Sequence, residues 1–221
     1  MTAVYFYVAF SLIRDNALLH LLWLMTTAVL VSLLFFLVLR SLGLDAVHAA
    51  AMAGDIDGLK RILASGADPD LSDPTGQTPL IAAALEGEAA AAALLIERGA
   101  DVDARTGNGL TALHAAAYAG EAGVASLLLG HGAAVNDHDN RFGITPLHAA
   151  AEENRGAVVE LLLAARADPG LTEANGYTPA TRAGWREHWD IVTALKRAGA
   201  VCQPEELVGA WLYEKCTEIK P

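Results

Sequence analysis

The sequence predicts an all-α protein in which stacked helix–turn–helix repeats follow an N-terminal transmembrane helix. Three observations lead to this prediction. Residues 17–39 form an uncharged apolar run, a Gly-x-Thr motif recurs four times beyond it, and a leucine-rich segment recurs in phase with that motif. Because one short helical unit cannot bury its apolar face alone, neighbouring units must stack into a continuous core, which gives a solenoid.

The run of residues 17–39 has the length and composition of a membrane anchor. It contains no Asp, Glu, Lys, Arg, Pro or Gly, and Arg14 and Arg40 lie at its two ends. As a helix it spans roughly 34 Å, which exceeds the ~30 Å hydrocarbon core of a bilayer. A buried helix of a soluble domain is one alternative. A cleaved signal peptide is the stronger one, although no Lys or Arg precedes Arg14 and no small-residue cleavage motif follows the run.

Residues 1–16 form an apolar tail ahead of the anchor. Its uncharged part, residues 1–13, is rich in Tyr and Phe but too short to cross a bilayer. We expect the tail to lie at the interface, to pack on a membrane partner or to extend the anchor helix. Positive charge lies beyond the anchor, at Arg40 and further on at Lys60 and Arg61. It favours a single-pass orientation with the repeat domain in the cytoplasm.

The repeat motif marks about five units over residues 45–200. Its glycines are Gly76, Gly109, Gly143 and Gly176, spaced by 33, 34 and 33 residues. The Thr of the motif suits the N-cap of a helix, and the Pro that follows it in three units suits the first helical position. An alanine-rich helix and then a leucine-rich helix follow, and a glycine ends the second helix. A degenerate first unit contains His48.

These motifs, G-x-T-P-L-H-x-A-A and L-L-L-x-x-G-A-D-V-N, resemble those of the ankyrin repeat family and stand nearly intact in the third and fourth units. The resemblance covers about residues 45–200. It implies that the histidine of the motif, present as His48, His114 and His148, forms hydrogen bonds to neighbouring turns. Ile81 and Thr181 replace this histidine in the second and fifth units, so the ends of the array are expected to be less regular.

Residues 201–221 are predicted to form a C-terminal capping helix over the fifth unit. Pro204 suits the first helical position, and the acidic residues after it complement the helix dipole. Leu207, Val208, Trp211 and Leu212 form an apolar stripe at helical spacing. In such a helix Cys202 and Cys216 would lie about 18 Å apart, beyond the ~7 Å Cα limit for a disulfide, so no intramolecular disulfide is expected.

The sequence favours binding over catalysis. The net charge is −11, so nucleic-acid phosphates would be repelled. Phosphate-binding loops, nucleophile elbows and H-E-x-x-H motifs are missing. The motif histidines, at most one per repeat, are expected at least roughly 10 Å apart, too far to share a metal. Residues 136–140 are the most polar loop but lack the turn glycine and terminal Glu of an EF-hand. We expect no enzyme, cofactor, metal site or small-molecule substrate.

The predicted function is a protein–protein interaction module tethered to a membrane: a scaffold, accessory subunit or regulator of a protein partner. The alternative is a secreted or periplasmic module whose N-terminal segment is removed. The family resemblance implies that turn tips and the exposed sides of the first helices contact the partner, and clustered exposed aromatics favour an interface. The candidate partner-binding residues are Met52, Leu85, Glu86, Tyr118, Phe142, Ile144, Glu152, Glu153, Tyr177, Trp185 and Arg186.

Overall fold

The computed structural model describes residues 46–220, and this part of the chain consists of short helices joined by turns. Five helix pairs succeed one another within it. They are α1 (Ala46–Met52) with α2 (Ile56–Ala64), α3 (Pro79–Glu86) with α4 (Ala89–Glu97), α5 (Ala112–Ala119) with α6 (Ala122–Gly130), α7 (Pro146–Glu152) with α8 (Gly156–Ala164), and α9 (Pro179–Trp185) with α10 (Trp189–Arg197). Two further helices, α11 (Glu205–Val208) and α12 (Ala210–Glu218), follow. The predicted all-α repeat architecture is confirmed for these residues.

The predicted anchor at residues 17–39 and the tail at residues 1–16 lie outside the described residues. Among residues 46–220, no helix combines the length and the hydropathy that a bilayer crossing requires.

Threonines stand at the N-cap of the first helix in four pairs, as the motif predicts. The hydroxyl oxygens of Thr78, Thr145 and Thr178 each accept the backbone N–H three residues on, at 3.3 Å. A proline follows each of them at the first helical position, where no N–H partner is needed. The threonine therefore provides an acceptor for one backbone N–H of the first turn that has no partner within the helix.

The core is one continuous apolar layer along the array. Alanines on the first helices let neighbouring units approach closely, and leucines fill the space between the two helices of successive pairs. The fully buried leucines at matching positions of the second helices are Leu95, Leu128, Leu162 and Leu195, and Leu59 is fully buried one turn earlier in α2. Burial of each such side chain contributes about 1.5–3 kcal/mol, so each unit depends on its neighbours for much of its stability.

The motif histidines connect the first, third and fourth units to the turn that follows, which confirms the role implied by the family resemblance. His48 Nε2 lies 2.7 Å from the carbonyl oxygen of Gln77, and His148 Nε2 lies 3.0 Å from that of Tyr177. His114 Nε2 lies 3.0 Å from the carbonyl oxygen of Ile144. In His148, Nδ1 accepts the N–H of Thr145. Nε2 therefore carries the hydrogen and donates it to the next turn.

The C-terminal region is two helices, not the single capping helix that the sequence predicted. Gly209, with a φ of +84°, breaks the helix between α11 and α12. Leu212 is buried, and its Cδ1 would lie 2.6 Å from a Cβ added at Gly184, so α12 packs closely on α9. Leu207 and Trp211 stay exposed. The cap therefore covers the fifth unit with α12, while part of the predicted apolar stripe faces solvent.

Cys202 and Cys216 form a disulfide, so the expectation of no intramolecular bridge was wrong. That expectation assumed one continuous helix between the two cysteines. The turn at Gly209 instead brings α12 back beside the segment before α11, and the two Cα atoms lie 5.9 Å apart. This separation falls within the 4.4–6.8 Å usual for disulfides, roughly the mode of the distribution.

Candidate protein-binding surface

A row of exposed apolar side chains follows the ends of the first helices in four of the five units. Met52, Leu85, Tyr118 and Trp185 occupy matching positions near the C-termini of α1, α3, α5 and α9. Each side chain is between 38% and 53% exposed. We call these four residues the apolar ladder. All four were predicted from the sequence, and the structure places them in register along successive units.

Glu152 occupies the ladder position of the fourth unit and interrupts the apolar row. Its carboxylate accepts hydrogen bonds from Arg182 Nη2 and, at 2.9 Å, from Arg186 Nη2. Its carbonyl oxygen lies 3.1 Å from His188 Nε2. The sequence placed Glu152 among the candidate partner-binding residues. In the structure, its charge is paired with arginines of the next unit, which joins the fourth and fifth units.

The other predicted acidic positions flank the ladder. Glu86 follows Leu85 and is exposed, and Glu153 follows Glu152 and is half-buried. Arg186 is exposed beside Trp185, and its pairing with Glu152 raises the pKa of its guanidinium further above its usual value.

An aromatic side chain of the fifth turn packs on Trp185, the last residue of the ladder. The rings of Tyr177 and Trp185 meet edge to face, with centroids 4.3 Å apart. Phe142, at the tip of the fourth turn, is 44% exposed, and Ile144 behind it is half-buried. Edge-to-face pairs add roughly 0.5–1.5 kcal/mol beyond their buried area, so the pair orients Trp185 before any partner arrives.

An open cleft of about 460 Å³ separates the fourth and fifth turns. Its lining residues are Arg141, Phe142, Ile144, Glu173, Ala174, Asn175 and Arg182. Sequence reasoning identified Phe142 and Ile144 but missed Glu173 and Arg182. The available signal was the register: Glu173 stands where the preceding turns carry Asp73, Thr106 and Asn140, all with shorter side chains.

The polar loop of residues 136–140 stabilises the turns. Asp137 accepts hydrogen bonds from both terminal nitrogens of Arg105, each at 2.9 Å. Burial would raise the pKa of Asp137, but the hydrogen bonds and charge of Arg105 outweigh it and lower that pKa. The side-chain oxygen of Asn140 accepts the N–H groups of Phe142 and Ile144, both at 3.2 Å. The loop thus uses its polar groups to hold two adjacent turns in place.

Burial also changes the titration of the motif histidines. It lowers the pKa of His148 to about 4 and shifts the pKa of His114 in the same direction. Both rings are therefore neutral near pH 7, as their single-donor hydrogen-bond roles require.

Stacked helix pairs, histidine-linked turns and one exposed apolar row define a helical repeat protein. Residues 47–139 match the family model described as Ankyrin repeats (3 copies), and residues 137–183 match the model described as Ankyrin repeats (many copies). The chain belongs to the ankyrin repeat family, whose repeats are protein–protein interaction modules. Comparison with curated proteins gives no match.

Proposed function

We propose that this chain is a membrane-tethered protein–protein interaction module that holds a partner protein through the apolar ladder and the turns beside it. The observation that carries the proposal is the register of Met52, Leu85, Tyr118 and Trp185, which leaves large apolar side chains exposed at matching positions of four units. Scattered exposed apolar residues need no explanation, but an aligned row favours an interface. The module acts as a scaffold, accessory subunit or regulator of that partner.

Different rungs of the ladder carry different shares of the binding energy. Binding energy concentrates in a few buried aromatic anchors. Tyr118 and Trp185 are the aromatic residues of the ladder, and Tyr177 holds Trp185 in place. Glu152, paired with two arginines, occupies the ladder position between these two residues. We therefore expect two apolar contacts of the partner with a polar stretch between them.

Membrane tethering rests on the uncharged run of residues 17–39. A tethered module searches for its partner within the plane of the membrane, so modest contacts suffice for occupancy. The full-length chain is expected in the membrane fraction after carbonate and high-salt washes. Recovery of the intact, full-length chain in the soluble fraction would show that residues 17–39 do not anchor it.

The disulfide favours a repeat domain outside the cytoplasm. Disulfides persist in oxidising compartments and are rare in the reducing cytoplasm, and Cys202 and Cys216 are joined in this structure. The cytoplasmic orientation predicted from charge depends on Arg40 and on more distant residues that count for little. We therefore propose the opposite orientation, which suits both an anchored chain and the alternative, a secreted or periplasmic module.

Two measurements separate these arrangements. The mass of the mature chain distinguishes an intact N-terminus from one that has been removed. Alkylation of thiols during cell lysis, before any reductant is added, distinguishes the compartments. Oxidised cysteines at that point support the extracytoplasmic placement, and two alkylated cysteines contradict it.

The binding face is tested by crosslinking in intact membranes. A photoreactive residue is placed at Tyr118 in one variant and at Glu160, an exposed position on α8, in a matched control. The proposal expects a discrete crosslinked product with a partner from position 118 and little from position 160. Equal amounts of product from the two positions, or product from position 160 alone, would show that the interface does not lie at the apolar ladder.

A further inference from the structure

In the fourth and fifth units, the residue before the second helix reaches back to the unit before it. Arg155, at the N-cap of α8, donates through Nε to the carbonyl oxygen of Tyr118 at 3.0 Å. His188, at the N-cap of α10, has its Nε2 atom 3.1 Å from the carbonyl oxygen of Glu152. Both carbonyl groups belong to residues at the ladder position of their units. A nitrogen-bearing side chain therefore contacts the backbone of the ladder in this half of the array.

Glutamates occupy the same position in the second and third units. Glu88 stands at the N-cap of α4, and Glu121 stands at the N-cap of α6. A Cβ added at Gly54 would lie 2.2 Å from Glu88 Oε2, and one added at Gly87 would lie 2.5 Å from Glu121 Oε2. The two carboxylates therefore lie against the glycines that follow the first two residues of the apolar ladder by two positions.

These carboxylates have no protein partner in the described part of the chain. Neither Glu88 nor Glu121 forms an ion pair or a side-chain hydrogen bond with another group of residues 46–220, and the same is true of the exposed Glu86. Negative charge at an N-cap complements the dipole of the helix that follows, so the free chain tolerates it. We call Met52, Leu85 and these three glutamates the acidic half of the ladder.

The surface that fits the acidic half is apolar and cationic together. Met52 is 45% exposed and Leu85 is 38% exposed, so both offer apolar contact area. Lys or Arg side chains beside such a contact would meet carboxylates, whereas an anionic group would be repelled. Arg155 lies against the next residue of the ladder, Tyr118, and disfavours a cation there. The cationic groups of a partner are therefore expected along the first part of the ladder only.

The spacing of the units favours an α-helix over an extended strand on this surface. Helices of stacked units lie about 8–10 Å apart, which is the expected separation of Met52 and Leu85. Seven residues of an α-helix rise roughly 10.5 Å and return to nearly the same face. Residues on one face of a strand recur at roughly 6.6 Å and 13 Å instead. Positions three and four residues along the helix lie on its contacting face between the two apolar residues.

We propose that the acidic half of the ladder binds a basic amphipathic α-helix of the partner protein. Two apolar residues of that helix, seven positions apart, pack on Met52 and Leu85. Lys or Arg residues between them face Glu88 and Glu121, and these charge pairs fix the register of the helix on the array. This assignment rests on the proposed function, because it names the chemistry of the partner that the apolar ladder holds.

Designed peptides test the assignment without the natural partner. The full-length chain, with isotope-labelled Met and Leu methyl groups, is placed in nanodiscs of zwitterionic lipid. The probe is an alanine-based helical peptide with two leucines seven residues apart and lysines three and four residues after the first leucine. One control peptide carries glutamates in place of the lysines, and another has the second leucine moved by two residues to a different face.

Saturable NMR shifts of the Met52 and Leu85 methyl groups are expected with the lysine peptide. It should bind roughly tenfold more tightly than either control, as loss of one apolar anchor or reversal of the charge pairs predicts. Its advantage over the glutamate peptide should shrink as salt is added, because exposed charges are screened. Equal binding of the three peptides, tighter binding of the glutamate peptide, or shifts that spare Met52 and Leu85 would overturn the assignment.

Charge reversal at Glu121 separates a local contact from the general attraction of an acidic chain. Glu121→Arg introduces the residue that stands at the matching position as Arg155, so the array should stay folded with a nearly unchanged thermal midpoint. It should weaken binding of the lysine peptide roughly tenfold. Glu160→Arg, on the exposed side of α8, changes the net charge equally and should weaken binding less than about twofold, because distant charges are screened. Equal weakening by the two variants, or none by Glu121→Arg, would overturn the assignment.

A second variant keeps the size of the side chain. Glu88→Gln removes one charge without changing the packing against Gly54 and should weaken binding of the lysine peptide several-fold. Undiminished binding by this variant would remove Glu88 from the surface. Crosslinking from Tyr118 reports on the proposed function whatever the charge of the partner, so failure of the basic helix and failure of the binding face are distinguishable.

Discussion

The buried His148 makes stability depend on pH in a direction that the structure specifies. Burial lowers its pKa to about 4 from 6.5. Below pH 6.5 the unfolded chain gains a proton at this site that the folded chain does not bind. The stability that neutral His148 contributes is therefore complete above pH 6.5, falls with pH down to about 4, and changes no further below that value. The lowered pKa of His114 acts with the same sign.

The size of the effect follows from the shift. Between pH 7 and pH 5, linkage with a folded pKa of about 4 and an unfolded pKa of 6.5 removes about 2 kcal/mol of unfolding free energy through His148. That amount is a large share of a typical stability of roughly 5–15 kcal/mol. Carboxylates also titrate over this range, so the contribution of His148 is measured as a difference between two proteins.

The chain offers a matched substitution for this measurement. Thr181 occupies the same motif position in the fifth unit, where its hydroxyl donates to Gln203, so threonine is compatible with the fold. His148→Thr loses the hydrogen bond to Tyr177 and should be less stable at pH 7 by about 1–3 kcal/mol. Urea unfolding at pH 7 and pH 5 should show a loss of stability on acidification that is smaller in the variant by about 2 kcal/mol. Equal losses in the two proteins would refute the linkage argument.

Three further predictions follow from the packing. Leu162→Ala should cost about 2–5 kcal/mol because Leu162 is fully buried between units, whereas Leu163→Ala, at a half-buried neighbour, should cost clearly less; calorimetry with matching midpoints for the two variants contradicts the register. Cys202→Ser should lower the free energy of unfolding by about 3 kcal/mol, which is the loop-closure value for a separation of this size. Added reductant should lower the thermal midpoint of the wild-type chain to a similar extent. A thermal midpoint that neither change affects shows that the disulfide does not stabilise the fold. Trp185→Ala should weaken partner binding by more than about 1 kcal/mol, mainly through faster dissociation, and should leave the array folded with a thermal midpoint lowered only slightly by loss of the ring pair with Tyr177; wild-type affinity in a binding assay excludes Trp185 as an anchor.

Local and periodic features were readable from the sequence. The recurrence of Thr-Pro and of the leucines set the helix pairs and their spacing, because each unit repeats one solution to the same packing problem. Leu128 and Leu162 are buried where that period places them, and His114 and His148 bond to the next turn as the family resemblance implied. The ladder was predictable for the same reason, since an exposed position in one unit is exposed in the next.

The tertiary structure alone decided the features in which particular side chains meet across units. Glu152 reads as a surface acid until the next unit brings Arg182 and Arg186 to it. Glu173 reads as a turn residue until its length leaves one oxygen without a donor beside the cleft. The turn at Gly209 and the disulfide depend on the cap folding back on the fifth unit. A repeating pattern specifies backbone positions. These contacts depend instead on the length and direction of single side chains some thirty residues apart, or on one backbone angle outside the repeat. The period of the sequence carries no information about those side chains or that angle.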